Sequence, residues 1–326
     1  MRRFWRHTLS TLMAMLLLVA CGGGGGGGNG TASSTTSQTV ATTAAGEAGA
    51  PQATGNTAND GFAWFNFRRQ QIGLAPFRRD ARIDTAALGH SNYQKINNVI
   101  THEQTPGNPG FTGRLVEDRL SAAGYALPPD DYAFGEVISS TSDSSGFKAA
   151  EDLIAAIYHR FLIFEPMFKD AGSGAATVVG GSTYFTTNFA TIGLNGGLRR
   201  GAVAVYPFNG QQQVPINFFS DNESPDPVTS RNEVGYPISV HANIVSTLSV
   251  NSFTVQPRNG QPLAVQLLTG TSSSSNPSIV VDEHTPHSAA AIIPLVRLAN
   301  GTTYDVSFNG VLDGVPITRS WSFTTQ

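Results

Sequence analysis

An α+β fold, with a helical layer ahead of an all-β sandwich, is predicted by three features of the sequence. Apolar residues recur at helical spacing between Gly61 and Phe161. Strand-like runs then follow at Ala175–Val179 and Thr183–Ala190. After Arg200 helical periodicity is lost, and short β-rich runs alternate with Gly, Pro, Asn and Ser clusters. Helices followed by strands predict a layered first domain, and turn-separated strands predict an antiparallel sandwich.

The chain opens with an export signal. Arg2, Arg3 and Arg6 precede an uncharged apolar stretch, Leu9 to Ala20, too short to span a bilayer as a permanent helix. Small residues then lead into Cys21, the only cysteine of 326 residues. Residues 22–28 are seven glycines, and Asn29 to Asn59 is Thr-, Ser-, Ala- and Gly-rich. That composition buries too little to offset its ordering entropy, so 21–60 is predicted to be a disordered tether with an end-to-end distance of roughly 35 Å.

Four helices are expected in the first domain, residues 61–195. The first carries Phe62, Phe65, Arg69 and Ile72 and stops at Gly73–Pro76, with Asn59 and Asp60 as caps. The second runs from Asp84 to Asn97. The third runs from Arg114 to Ala123, closed by Gly124. The fourth runs from Phe147 to Phe161. The second domain, 202–326, is expected to hold seven strands, at Ala202–Tyr206, Ile238–Ala242, Ser252–Gln256, Leu263–Leu268, Ala290–Pro294, Tyr304–Phe308 and Trp321–Thr324, with an exposed loop at Thr271–Pro277.

Composition excludes some functions. The net charge is −3, only 13% of residues are charged, and 35 are glycine. No basic surface calls for nucleic acid. With a single cysteine, no intrachain disulfide is available, and the fold must rely on its core.

Standard catalytic motifs are missing. His102-Glu103 begins like a zinc-protease helix, but Pro106 stands where the second histidine belongs and would interrupt that helix. Three titratable residues of the first domain, His102, Glu136 and His159, remain as candidates, since distant histidines can share a metal and a glutamate can orient an imidazole. The bland alternative is that each is an isolated polar residue satisfied by backbone. Asp282-Glu283-His284 with His287 reads as a polar surface loop, for want of a matched ligand set.

Two resemblances sharpen this reading. Leu18-Val19-Ala20-Cys21 resembles a bacterial lipobox. That resemblance implies cleavage before Cys21, a lipidated Cys21 and a membrane partner, and Gly22 after the cysteine resembles an outer-membrane address.

The second concerns the first domain. Asn66-Phe67-Arg68-Arg69 with Gly73-Leu74-Ala75-Pro76 comes first, then Ala86-Ala87-Leu88-Gly89-His90-Ser91 with Thr101-His102. Asp118-Arg119 with Ala123-Gly124-Tyr125, Gly135-Glu136, Tyr158-His159-Arg160, Gly172-Ser173-Gly174 and Tyr184-Phe185-Thr186 with Asn188-Phe189 follow. Their order over roughly 130 residues resembles the CAP superfamily, which includes cysteine-rich secretory proteins, insect venom antigens and pathogenesis-related plant proteins, with the bacterial secreted type most similar. The resemblance implies a CAP-type α-β-α sandwich with a central cleft, and His102, Glu136 and His159 as its cleft residues. Val137 replaces the asparagine of the family's Gly-Glu-Asn motif, and the second glutamate has no clear match; Glu151 lies two helical turns before His159. Zn²⁺ at His102 and His159 is thus an open reading, and His90 is read as a helix-face residue.

The end of the chain, Gly301-Thr302-Thr303-Tyr304 and Trp321-Ser322-Phe323-Thr324-Thr325, resembles the last hairpin of bacterial immunoglobulin-like domains. The expected protein is an envelope lipoprotein whose CAP cleft binds a lipid, another small apolar molecule or an envelope component without catalysis. The alternatives are a metal-dependent hydrolase and a protein-interaction module.

Overall fold

The computed structural model describes residues 47–273 and 279–326. The signal segment, Cys21, the tether up to residue 46 and part of the expected Thr271–Pro277 loop lie outside the described residues.

Helix α1, Thr57–Gln71, starts four residues before the expected domain boundary. Asn56, not Asn59 or Asp60, caps it, its side chain accepting from the Asn59 N–H. Asp60 turns back to accept from Thr54 N–H, Thr54 Oγ1 and Gly55 N–H. These bonds make the 54–56 turn part of the folded unit, which composition alone had assigned to the tether. Strand β1, Arg78–Arg79, leads into α2, Ala81–Asn97, capped by Asp80. Helix α3, Val116–Ala122, is closed as expected at Gly124, whose φ is +84°.

Strand β2, Tyr132–Thr141, was not expected. An interior glycine, Gly135, and a buried charge, Glu136, break the alternation that would have announced it. The single helix expected over 147–161 is two: α4, Gly146–Ala155, and α5, Ile157–Ile163. Ala156 between them is extended, at φ −70° and ψ 118°. Strands β3, Asp170–Thr177, and β4, Thr183–Ile192, complete a four-stranded sheet in the order β1-β3-β4-β2.

The pleat divides this sheet into two faces. Phe185, Phe189 and Val137 join the core under α1, α4 and α5, and a Cβ on Gly135 would meet Leu162 of α5. Ala190 and Phe134 join the smaller core under α2 and α3, with Ile83, Val116 and Leu120. The result is a three-layer α-β-α sandwich. Helix α2 lies directly on β3: a Cβ at Gly172 or Gly174 would come within 2.2 Å of the Asp84 or Leu88 backbone nitrogen, so the Gly-Ser-Gly run makes that contact sterically allowed.

The second half contains β5 (Ala204–Tyr206), β6 (Phe218–Phe219), β7 (Glu233–Val234), β8 (Ile238–His241), β9 (Leu248–Pro257), β10 (Val265–Thr269), β11 (Ala289–Pro294), β12 (Thr303–Leu312) and β13 (Val315–Thr324). Two antiparallel sheets, β10-β11-β8-β5 and β13-β12-β9, form the sandwich, and β6 pairs with β7 beside them. The α+β class, an α-β-α sandwich followed by a β-sandwich, is therefore what the chain adopts.

One hydrophobic core runs through both halves, from Trp64 and Phe164 to Tyr206, Ile292 and Phe308. Glu165 sits at this junction, accepting from the Met167 and Ile244 N–H groups. Burial pushes its carboxyl up to about 8, against the pull of those two N–H groups and of the Arg69 charge. Folded Glu165 keeps its proton where the unfolded chain, near 4.5, has lost it. The contribution of Glu165 to stability is therefore fully present below about 4.5 and falls as pH rises toward 8, by up to about 1.4 kcal/mol per pH unit. Glu165→Gln is expected to flatten that slope in urea-unfolding measurements; an unchanged slope would refute the assignment.

Candidate functional site

Each face of the α-β-α sheet carries one of the predicted histidines. On the α2/α3 face, Glu136 of β2 stands opposite Asn188 of β4. Arg119 of α3 donates from Nη2 to both Glu136 carboxylate oxygens at 2.8 Å. His102, from the segment between α2 and α3, donates Nδ1–H to Glu136 Oε1 at 2.9 Å. Burial opposes ionisation of Glu136, yet Arg119, followed by His90 and His102, holds its carboxyl well below the usual carboxylate range. Arg119, Glu136 and His102 are all buried.

His90 of α2 belongs to the same network. Its Nε2 faces Thr101 O at 2.7 Å, a carbonyl that can only accept. The Gln104 amide donates to Nδ1 at 2.9 Å. These partners fix the neutral Nε2–H tautomer. Burial, reinforced by Arg119, pushes the imidazole down to about 4 although Glu136 pulls the other way. The network also holds the 98–115 segment: Gln104 Oε1 accepts from Thr112 N–H, Arg119 Nη1 donates to the His102 and Arg114 carbonyls, and Tyr93 Oη accepts from Thr105 N–H. Asn188 keeps both amide atoms buried without a hydrogen-bond partner, which leaves the layer some unused bonding capacity.

His159 is elsewhere. It belongs to α5, on the opposite face of the sheet, and its Nδ1 faces Glu223 Oε1 at 3.0 Å. Glu223 comes from the second half, just after the 3₁₀ turn Ser220–Asn222. Its carboxylate also accepts from the N–H groups of Ile157, Tyr158 and His159 at 2.8, 2.7 and 3.2 Å. Those are the first N–H groups of α5, the ones a helix leaves unsatisfied. The break at Ala156 thus has a partner in space rather than in local sequence.

Arg160, next to His159, is fully buried and donates to Pro237 O at 2.7 Å and Ser239 Oγ at 3.3 Å. Its guanidinium lies 5.0 Å from the ring centres of both Tyr206 and Tyr236. Glu151 is occupied too: its Oε2 accepts from Trp64 Nε1 at 2.5 Å and Arg68 Nε at 3.0 Å.

The structure brings His102 and Glu136 together and separates both from His159. Each imidazole is tied to a different carboxylate, His102 to Glu136 and His159 to Glu223. Among the described residues no three His, Cys, Asp or Glu side chains converge as a metal-holding group. Asp282, Glu283, His284 and His287 lie in a surface loop, as expected, with His284 edge-on to the Tyr158 ring.

Arg119 and Arg160 carry no local signal of a role in the site, although both lie inside the CAP-like motifs. Sequence reasoning reads His90 as a helix-face residue, but the side chain is buried and bonded at both nitrogens. Glu223 lay in a segment with no motif at all, and only the fold reveals it.

No family model matches the chain, and no curated protein matches it. Solved structures similar to it include an extracellular protein containing an SCP domain from Bacillus anthracis, at 24% identity and TM-score 0.35 over 41% of this chain and 39% of that one. An outer surface protein from Borrelia burgdorferi is similar at 13% identity and TM-score 0.33, over 40% of this chain and 89% of that one. A cysteine-rich secretory protein from Staphylococcus aureus is similar at 12% identity and TM-score 0.29, over 41% of this chain and 38% of that one. The match thus spans under half the length of the Bacillus and Staphylococcus proteins. These neighbours are SCP-domain, secretory or outer-surface proteins.

Proposed function

We propose that this chain is a lipid-anchored protein of the bacterial cell envelope, and that its CAP-type sandwich is a non-enzymatic binding module carried with an immunoglobulin-like β-sandwich. The observation behind the non-enzymatic reading is the use of the candidate chemistry. Glu136 is held by Arg119 and His102, and His159 by Glu223, in two separate networks on opposite faces of one sheet. A hydrolytic centre needs a metal or general base that converges with its partners on one reacting atom, and these residues converge in two different places. They instead fix the 98–115 segment and the start of α5, as the frame of a recognition surface requires. The envelope reading rests on the lipobox-like Leu18-Val19-Ala20-Cys21 and the apolar stretch before it. Gly22 points to the outer membrane.

One preparation tests both parts. Expressed with its signal, the protein is expected to partition into the detergent phase, and Cys21→Ser is expected to move it to the aqueous phase. The detergent-phase protein should carry far less than one zinc per chain. Stoichiometric zinc lost in the His102→Ala, His159→Ala double variant would overturn the non-enzymatic reading. Unchanged partitioning of Cys21→Ser would overturn the anchor.

A further inference from the structure

The α-β-α sheet leaves one stretch of backbone open. Strand β1 pairs only with Asp170 and Ala171 of β3. In β3 the odd-numbered residues point toward that edge: the carbonyls of Lys169 and Ala171 accept from the N–H groups of Arg78 and Asp80 at 2.8 and 3.0 Å. The next outward group, Ser173 N–H, is taken by Asp84 Oδ1 at 2.8 Å. Beyond it, Ala175 and Thr177 present N–H and C=O groups to which no strand of the described residues is paired.

This edge lies at the bottom of a groove. The residues 55–59, at the start of α1, form one wall, and Asp84, Thr85 and Leu88 of α2 form the other. Ser173, Gly174, Ala175 and Thr177 line the floor, and the cavity measures about 420 Å³. A sheet edge flanked in this way is screened from a second sheet approaching broadside but accepts one extended chain.

The lining fixes what that chain is. Arg79 is already neutralised: its Nε donates to both Asp84 oxygens at 3.1 and 2.8 Å, and its Nη1 donates to Asn59 Oδ1 at 2.7 Å. With no unpaired charge in the groove, a charged ligand would lose hydration without compensation. The walls offer Ala58, Thr57 and Thr85, with Leu88, 45% exposed, as an apolar contact. We infer that this groove binds a neutral, extended polypeptide segment with small side chains, contributed by another protein, which adds a strand beside Ser173–Thr177. The inference names a partner class for the binding module proposed above, and binding to the purified chain can fail or succeed irrespective of the anchor.

The test uses the full mature chain and a capped hexapeptide of alternating threonine and alanine at millimolar concentration, read by hydrogen exchange. Exchange of the Ala175 and Thr177 N–H groups is expected to slow by about tenfold. Ala175→Pro removes an N–H that the native sheet does not use, and should abolish the effect. Thr85→Arg, on an exposed helical position of the wall, should abolish it without touching the sheet, so loss of binding is separable from loss of folding. No slowing in the wild-type chain would overturn the inference. So would slowing that persists in folded Thr85→Arg, or protection of the Ala175 and Thr177 N–H groups that is complete before peptide is added.

Discussion

Replacing Glu223 by alanine is expected to lower the stability of the folded chain by about 3–5 kcal/mol, the range for breaking a buried charge network from one side. Four donors lose their acceptor together: the N–H groups of Ile157, Tyr158 and His159, and His159 Nδ1. All four are in the interior, so water does not replace the carboxylate without a rearrangement. Glu223→Gln keeps one carbonyl acceptor and removes the charge, so its cost should be smaller, roughly 1–2 kcal/mol. Urea unfolding measures both, and hydrogen exchange should show the loss concentrated in α5. An alanine variant within about 0.5 kcal/mol of wild type would mean that the carboxylate does not hold the helix start.

Arg119→Met attacks the other face. It leaves Glu136 buried without its strongest counter-charge, again at about 3–5 kcal/mol near neutral pH. The pH dependence separates this from a packing defect. In the wild type the folded Glu136 pKa lies below the unfolded 4.5. Its ionised form therefore contributes stability above that value, and the contribution is lost as pH falls through the folded pKa. In Arg119→Met the buried carboxyl is expected to hold its proton to higher pH. The deficit against wild type should then shrink as pH falls through the variant's raised Glu136 carboxyl pKa, because below it the variant's folded state holds a proton that the wild type's does not. Adding Glu136→Gln to Arg119→Met should recover part of the loss at pH 7. A deficit that ignores both pH and the second substitution would assign the effect to lost volume.

Much of this architecture was legible because it is written in local chemistry. Gly124 closes α3 where a left-handed residue is required. Gly172 and Gly174 stand where α2 meets β3 backbone to backbone. Asn66 clips the chain after α1, its amide donating to Phe77 O and its carbonyl accepting from Phe77 N–H. What escaped was non-local. Strand β2 pairs along its whole length with β4, yet Gly135 and Glu136 erase its pattern, since a glycine there accommodates Leu162 and a charge there awaits Arg119. The break at Ala156 depends on a carboxylate 66 residues later than the N–H it meets first. Periodicity over 147–161 carries no trace of that partner. The histidines were found, but no spacing rule tells on which face of a sheet a residue will emerge when the strand itself is missed.

The joint formed by Glu223, Arg160 and the shared core also bears on inheritance. Two sandwiches linked by a bare linker could be traded between genes like beads on a string. Here the first sandwich draws one helix start from residue 223 and seats an arginine on the carbonyl of Pro237. A recombinant that kept residues 47–200 and received an unrelated β-half would leave His159 without its carboxylate and Arg160 with the Ile154 carbonyl alone. The two sandwiches are coupled through these contacts, and substitutions at positions 159 and 160 are expected to depend on the residues at 206, 223, 236 and 237.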